Sequence, residues 1–243
     1  MCHGHLDPLV SAARRPTAEA ELEKLASVIP VGQGLRRVAA IDLGTNSTHL
    51  LIASVDPQLR TFQVLLAEKS TTRLGERDPD TGDLSPEAME RARLALRHCR
   101  ELASSHDVEE IVCVATSAMR EAPNGLAFLE EVERDFGLKT EVISGPEEAR
   151  LIYLGVLSGM DFAEQPHYIL DIGGGSTELI LADAGDARAL TSSRVGAVRL
   201  QRDFIRQEPL ERKRVQFLRA FIQGSMEPAV EKVRRRLEPD ETP

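Results

Sequence analysis

Two short stretches carry residue types suited to holding a phosphoryl group. The first is Asp42-Leu43-Gly44-Thr45-Asn46-Ser47. Gly44 permits a backbone turn that a side chain would block. The amides after it can converge on one anion, and Thr45, Asn46 and Ser47 add neutral donors, so the turn suits a phosphate. Gly-Thr-Asn is also ordinary turn chemistry. The second stretch is Asp171-Ile172-Gly173-Gly174-Gly175-Ser176-Thr177-Glu178. Three consecutive glycines carry a large backbone entropy cost, and a closely approaching ligand is a good reason for them. Asp171 and Glu178 flank this turn, and a hairpin would bring both carboxylates near its mouth. Two carboxylates beside a phosphate site are the usual setting for Mg²⁺, which prefers oxygen ligands and keeps several waters. The plainer alternative is that one of them caps the turn.

Between the two turns lies Ser144-Gly145-Pro146-Glu147-Glu148-Ala149-Arg150, which reads as a helix start. Acids in a first helical turn are normal, and that suffices for Glu147. For Glu148 it competes with a catalytic role, since a carboxylate held in a cleft can activate a water. The segment 115–122 follows a strand end, and its Ser117 and Arg120 can bind an anion, or Arg120 can pair with an acid. Arg73, in Thr71-Thr72-Arg73-Leu74-Gly75, carries the same two readings.

The elements that must position these residues follow from periodicity. The apolar run 37–43 ends in an acid and a glycine, as a buried strand entering a tight turn does. Strands over 48–55 and 61–67 complete an expected antiparallel meander. Ser85 and Pro86 open a helix running to about residue 105. A strand at 111–115, a helix at 125–136 stopped by Gly137, a strand at 140–143 and a helix at 146–157 follow. Such alternation predicts an α/β sheet covered by helices. A second round begins at His167, and LDIGGGSTELIL echoes AIDLGTNSTHLLI. This internal repeat implies two similar domains facing one another. A strand at 188–195 and helices at 198–206 and 210–237 complete the second round, which has fewer elements than the first.

The chain has 243 residues, which allows one or two domains. The expected division is a flexible N-terminal tail over 1–35, a first domain over 36–165 and a partial second domain over 166–243. Within the tail, His3 and His5 offer a paired metal site or, by default, a mobile end, and residues 18–29 carry a short helical pattern. Apolar residues are 42% and charged residues 28%, which excludes collagen, a coiled-coil rod or a wholly disordered chain. Thirty Lys and Arg against 39 Asp and Glu give a net charge of −9, so nucleic acid is not an expected partner. Cys2, Cys99 and Cys113 are too few and too scattered for a disulfide framework. Cys99 and Cys113 read as buried free thiols. No signal peptide or membrane-spanning run is visible, so a soluble cytoplasmic protein is expected.

The repeated Asp-apolar-Gly-rich turns resemble those of the ribonuclease H-like fold shared by actin, sugar kinases and acetate kinase. The longer strings AIDLGTNSTHLLI, VATSAMREAPN, EVISGPEEARLIYLGV, LDIGGGSTELIL and SSRVGAVRL together resemble the Ppx/GppA family of exopolyphosphatases and guanosine pentaphosphate phosphohydrolases. The match runs in order from about Arg36 to about Gln207. The resemblance implies hydrolysis of a terminal phosphoanhydride, of inorganic polyphosphate or guanosine penta/tetraphosphate, with Mg²⁺ or Mn²⁺ and a place in the stringent response. It puts the catalytic glutamate at Glu148 and the acidic pair for metal and water at Asp171 and Glu178. Phosphate turns fall at Gly44, Thr45, Asn46 and Ser47 and at Gly173, Gly174, Gly175, Ser176 and Thr177, with Arg73, Ser117 and Arg120 as further anion contacts. The family continues into further second-domain elements that this sequence lacks. The expected alternative is therefore a catalytically incomplete phosphate- or nucleotide-binding module, and a homodimer could cover the surface left open.

Overall fold

The computed structural model describes residues 34–160, 162, 165–205 and 209–243. The expectations for the tail, with His3, His5, Cys2 and the helical pattern over 18–29, lie outside the described residues.

Strand β1 (Arg36–Leu43) alternates in burial: Ala39, Ile41 and Leu43 point into the core. That period of two puts Asp42 on the opposite face at the end of the strand. Antiparallel β2 (Thr48–Asp56) and β3 (Thr61–Ser70) follow as the expected meander. Helix α1 (Pro86–Ser105) starts where Ser85 accepts the Ala88 N–H, and it buries Ala88, Ala92, Leu96, Cys99 and Ala103 at helical spacing. Strand β4 (Glu110–Ala115) then returns parallel to β1.

Helix α2 (Ser117–Glu121) was not expected: a single turn is too short to show a period. Helix α3 (Gly125–Phe136) ends at Gly137, in the left-handed conformation with φ 66°, whose N–H caps the Glu133 carbonyl. Strand β5 (Thr140–Val142) pairs parallel with β4, giving the order β3-β2-β1-β4-β5. One core joins this sheet to α1, α2 and α3, and it holds both Cys99 and Cys113. Burial pushes each thiol up to about 11, so both are neutral, inert side chains.

Helix α4 (Gly145–Gly159) is capped by Ser144, which accepts the Glu147 N–H at 3.2 Å. Its buried face, Ala149 and Tyr153, packs on a second sheet rather than the first. That sheet is the antiparallel set β6 (His167–Ile172), β7 (Thr177–Ala182) and β8 (Ala187–Ser193). Residues from before position 166 thus supply part of the second core, which also takes in Ile180, Ala182 and Leu190. Helix α5 (Ala197–Phe204) follows, and α6 (Arg212–Arg234) sets Val233 against Leu181 and Ala189 on the other face. The mixed α/β architecture agrees with the expected fold class.

Candidate functional site

The first phosphate turn joins β1 to β2 and the second joins β6 to β7. Both close with one bond: Gly44 N–H donates to the Ser47 carbonyl at 3.1 Å, and Gly173 N–H to the Ser176 carbonyl at 2.9 Å. The sequence repeat is therefore a repeat of backbone geometry.

The two turns lie against each other. A Cβ added at Gly175 would sit 2.4 Å from Ser117 Oγ and 2.7 Å from Thr45 Oγ1. The glycine is required by close approach, not by an unusual backbone angle. Helix α5 fixes the second turn from behind: the N–H groups of Ala197 and Arg199 donate to the carbonyls of Gly173 and Gly174 at 2.9 and 3.0 Å.

Between the turns opens a cleft of about 720 Å³. Gly44, Thr45, Asn46 and Ser47 line one side of it, and Asp171, Gly173, Gly174, Gly175 and Ser176 the other. Glu148 enters from the first turn of α4. Thr177 points away instead, its buried hydroxyl donating to the Val195 carbonyl.

Three expected anion contacts have other partners. Arg120 donates from two nitrogens to Glu148 Oε2 at 3.1 and 3.2 Å and also to the Ile143 carbonyl. Ser117 Oγ donates to Glu121 at 3.0 Å, beside Arg199, which reaches the same carboxylate at 2.6 and 2.7 Å. Arg73 lies outside the cleft lining, in an adjoining groove beside Glu76.

The acids are crowded. Asp171 and Glu178 stand directly opposite across the β6–β7 ladder, as the spacing predicts. Asp171 is open to the cleft, whereas Glu178 is 1% exposed and sits behind it, accepting a bond from Ser192 Oγ at 2.7 Å. Burial, then the charges of Glu148 and Asp171, push the Glu178 carboxyl up to about 7 despite that bond. Burial raises Glu148 as well; Arg120 opposes the rise, and Asp42 and Asp171 add to it.

Several lining residues were missed. Asp42 faces the cleft yet is hemmed in by its walls, and desolvation and the Asp171 charge push its pKa up to about 6. His49 and Lys69 also line the cleft, His49 Nε2 lying 2.9 Å from Ser47 Oγ. Burial and the Lys69 charge hold His49 below the usual histidine range. The repeat carried the signal: Asp42 aligns with Asp171, and His49 with Glu178.

Among the described residues no three His, Cys, Asp or Glu side chains converge on a ready-made metal cage. Mg²⁺ needs none, since it binds through one or two carboxylates and completes its shell with water and phosphate oxygens. Asp42 and Asp171 reach the cleft from opposite turns, and burial and the Asp171 charge raise the proton affinity of Asp42, which is the donor chemistry a hydrated divalent cation fits. No described helix is long and apolar enough to cross a membrane.

A family model described as the Ppx/GppA phosphatase family matches residues 51–242. The chain is 36% identical over 206 residues to exopolyphosphatase 2 of Mycobacterium tuberculosis, covering 82% of this chain and 64% of that protein. It is 38% identical over 160 residues to the guanosine-5'-triphosphate,3'-diphosphate pyrophosphatase of Photobacterium profundum, covering 66% of this chain and 32% of that protein. The crystal structure of an exopolyphosphatase from Cytophaga hutchinsonii superposes with a TM-score of 0.77 at 28% identity, covering 82% of this chain and 64% of that one. The chain thus spans 64% of the length of the first of these relatives.

Proposed function

We propose that this chain, which belongs to the Ppx/GppA phosphatase family, removes the terminal phosphoryl group of inorganic polyphosphate or guanosine pentaphosphate by attack of water. The observation that carries this reading is the Arg120–Glu148 pair at the wall of a cleft lined by two like-built phosphate turns.

Phosphoryl transfer is catalysed mainly by positioning and charge stabilisation. The terminal phosphoryl group lies between the turns, where backbone amides near Gly44 and Gly173 and the Lys69 ammonium take up its negative charge. Both Arg120 contacts fall on Glu148 Oε2, so Oε1 keeps its lone pairs for a proton of the attacking water. Water oxygen bonds to the terminal phosphorus, the bridging P–O bond breaks, and the bridging oxygen leaves with the shortened chain. The water proton passes to Glu148, whose raised pKa makes it a stronger base than a free carboxylate. A Mg²⁺ or Mn²⁺ ion held by Asp42 and Asp171 would neutralise charge on the phosphoryl oxygens. Glu178, buried behind Asp171, holds that carboxylate's side of the site in place. A cytoplasmic setting and a role in the stringent response accord with these substrates.

The test is phosphate release from long-chain polyphosphate and, in parallel, from guanosine pentaphosphate, with and without Mg²⁺. Metal-dependent release from either is expected, and the faster substrate names the activity. Silence on both, from a chain shown to be folded, would contradict the reading.

A further inference from the structure

A second cavity adjoins the cleft. It is a groove of about 520 Å³ whose lining includes Arg73, Arg77 and Arg202. Asn46, Val198 and Gln201 line both cavities, so the two meet there.

The groove is built onto the first phosphate turn. The N–H groups of Thr72 and Arg73 donate to the Asn46 carbonyl at 3.1 and 2.8 Å, and that of Gly75 to the Thr45 carbonyl at 2.7 Å. These bonds hold Arg73 at φ 53°, a conformation its side chain disfavours. A Cβ at Gly75 would meet Thr45 Cγ2 and Val198 Cγ1, each at 2.7 Å. Turn, loop and α5 therefore form one close-fitting unit.

The groove is also rich in positive charge on a chain of net charge −9. Arg77 donates to the Ala118 carbonyl at 2.9 Å, and its buried Nε has no hydrogen-bond partner among the described residues. Among the described acids Arg202 is ion-paired with its neighbour Asp203, and Arg73 reaches Glu76 at 3.6 Å, an acid that Arg91 also engages. Glu121, which faces the same cluster, is taken by Arg199. Among the described residues guanidinium groups outnumber the acids left to them, and their fork geometry suits phosphate oxygens.

We propose that this groove is a second anion subsite, which takes phosphoryl groups of the substrate remote from the bond being cut. It rests on the reading given above and deepens it: the favoured substrate carries several phosphoryl groups in reach of one another, whether along a polyphosphate chain or on the second arm of a nucleotide. Arginines set along a path also explain how a polyanion is drawn to an acidic protein.

The test compares wild type with the double variant Arg73→Gln/Arg202→Gln. Arg77 is left alone because its buried contacts hold the loop. An Arg134→Gln variant controls for lost charge, since Arg134 is exposed and paired with Asp135. For long-chain polyphosphate the double variant is expected to raise KM about tenfold, the loss of one to two charge-assisted contacts. For tripolyphosphate, which extends only two phosphoryl groups past the one being cut, the rise should be smaller, under about twofold on the same estimate. A parallel rise for guanosine pentaphosphate would identify the nucleotide's second phosphate arm as an occupant. No rise there, with the polyphosphate effect intact, would assign the groove to chain polyphosphate.

Binding of fluorescently labelled long-chain polyphosphate to Glu148→Gln protein, with and without the two arginine changes, gives a readout free of turnover. Weaker binding and a shallower salt dependence are expected. Equal KM shifts for long and short polyphosphate, or unchanged binding, would overturn the subsite while leaving the proposed hydrolysis standing. Wild-type protein that neither cleaves nor binds any of these substrates would overturn both.

Discussion

The two phosphate turns share a backbone and differ in charge. Each closes with the same Gly-to-Ser bond. In the first, Asp42 stands opposite His49, and His49 opposite Lys69. In the second, Asp171 stands opposite Glu178, and Glu178 opposite Ser192. The same hairpin form thus lines the cleft from two sides with unlike charge. The first brings a lysine beside a turn of backbone amides and hydroxyls and suits an anion. The second gathers carboxylates and suits a cation and a proton. The sheets differ as well: β1 is flanked by β2 and β4, while among the described strands β6 lies at the edge of its sheet and leaves Tyr168, Leu170 and Ile172 exposed.

The largest effect should come from the acidic half. Asp171→Asn should lower phosphate release by about 10²–10⁴-fold, the range for a positioned group acting on proton or charge transfer. Steady-state kinetics beside His49→Ala should show a much smaller loss for the histidine. Equal losses would erase the proposed division of labour.

Stability should show the next largest effect, with the opposite sign. Folding raises the Glu178 pKa from near 4.5 to about 7. Its contribution to stability is therefore complete below pH 4.5 and is lost as pH rises through 7. The loss by pH 8 is on the order of 3 kcal/mol. In metal-free buffer Glu178→Gln should melt above wild type at pH 8, and the two should converge toward pH 5. A variant that melts below wild type at pH 8 would place the carboxylate in a favourable charged pairing instead.

Contact between the turns can be broken separately. Gly175→Ala should cost about 1–3 kcal/mol by overpacking, read as a fall in Tm of a few degrees per kcal/mol. Gly185→Ala, in the exposed β7–β8 turn, is its control, because there the added Cβ meets only Asp183 Oδ1 at 3.4 Å. The smallest effect belongs to the cationic side: Lys69→Ala should raise KM by about tenfold, one charge-assisted contact, with the greater part of the change in KM rather than kcat.

Much of this was legible in the residues. The Ser85-Pro86 start, the Gly137 stop and the alternation in β1 announce their elements because each rests on local chemistry. The two turns were visible as a repeat, and with them most of the cleft lining. What escaped depends on tertiary contact. Arg120 could have met an anion or an acid; only the fold brings it to Glu148, 28 positions away. Spacing sets Glu178 opposite Asp171 but does not reveal that it is sealed behind the cleft and bonded to Ser192. Lys69 lies at the end of a strand with no motif, and joins the site only through its register with His49. Helix α4 reads as a continuation of the first round, yet its apolar face fits the second sheet.

The central claim is that Glu148 serves the water and the two turns serve the phosphate. The most direct measurement is phosphate release by Glu148→Gln protein from long-chain polyphosphate with Mg²⁺, taken together with its affinity for the same substrate. Loss of release by at least about 10²-fold with affinity held within a few-fold of wild type is the predicted result. Release that persists in the variant would contradict the claim, and so would affinity that collapses along with release.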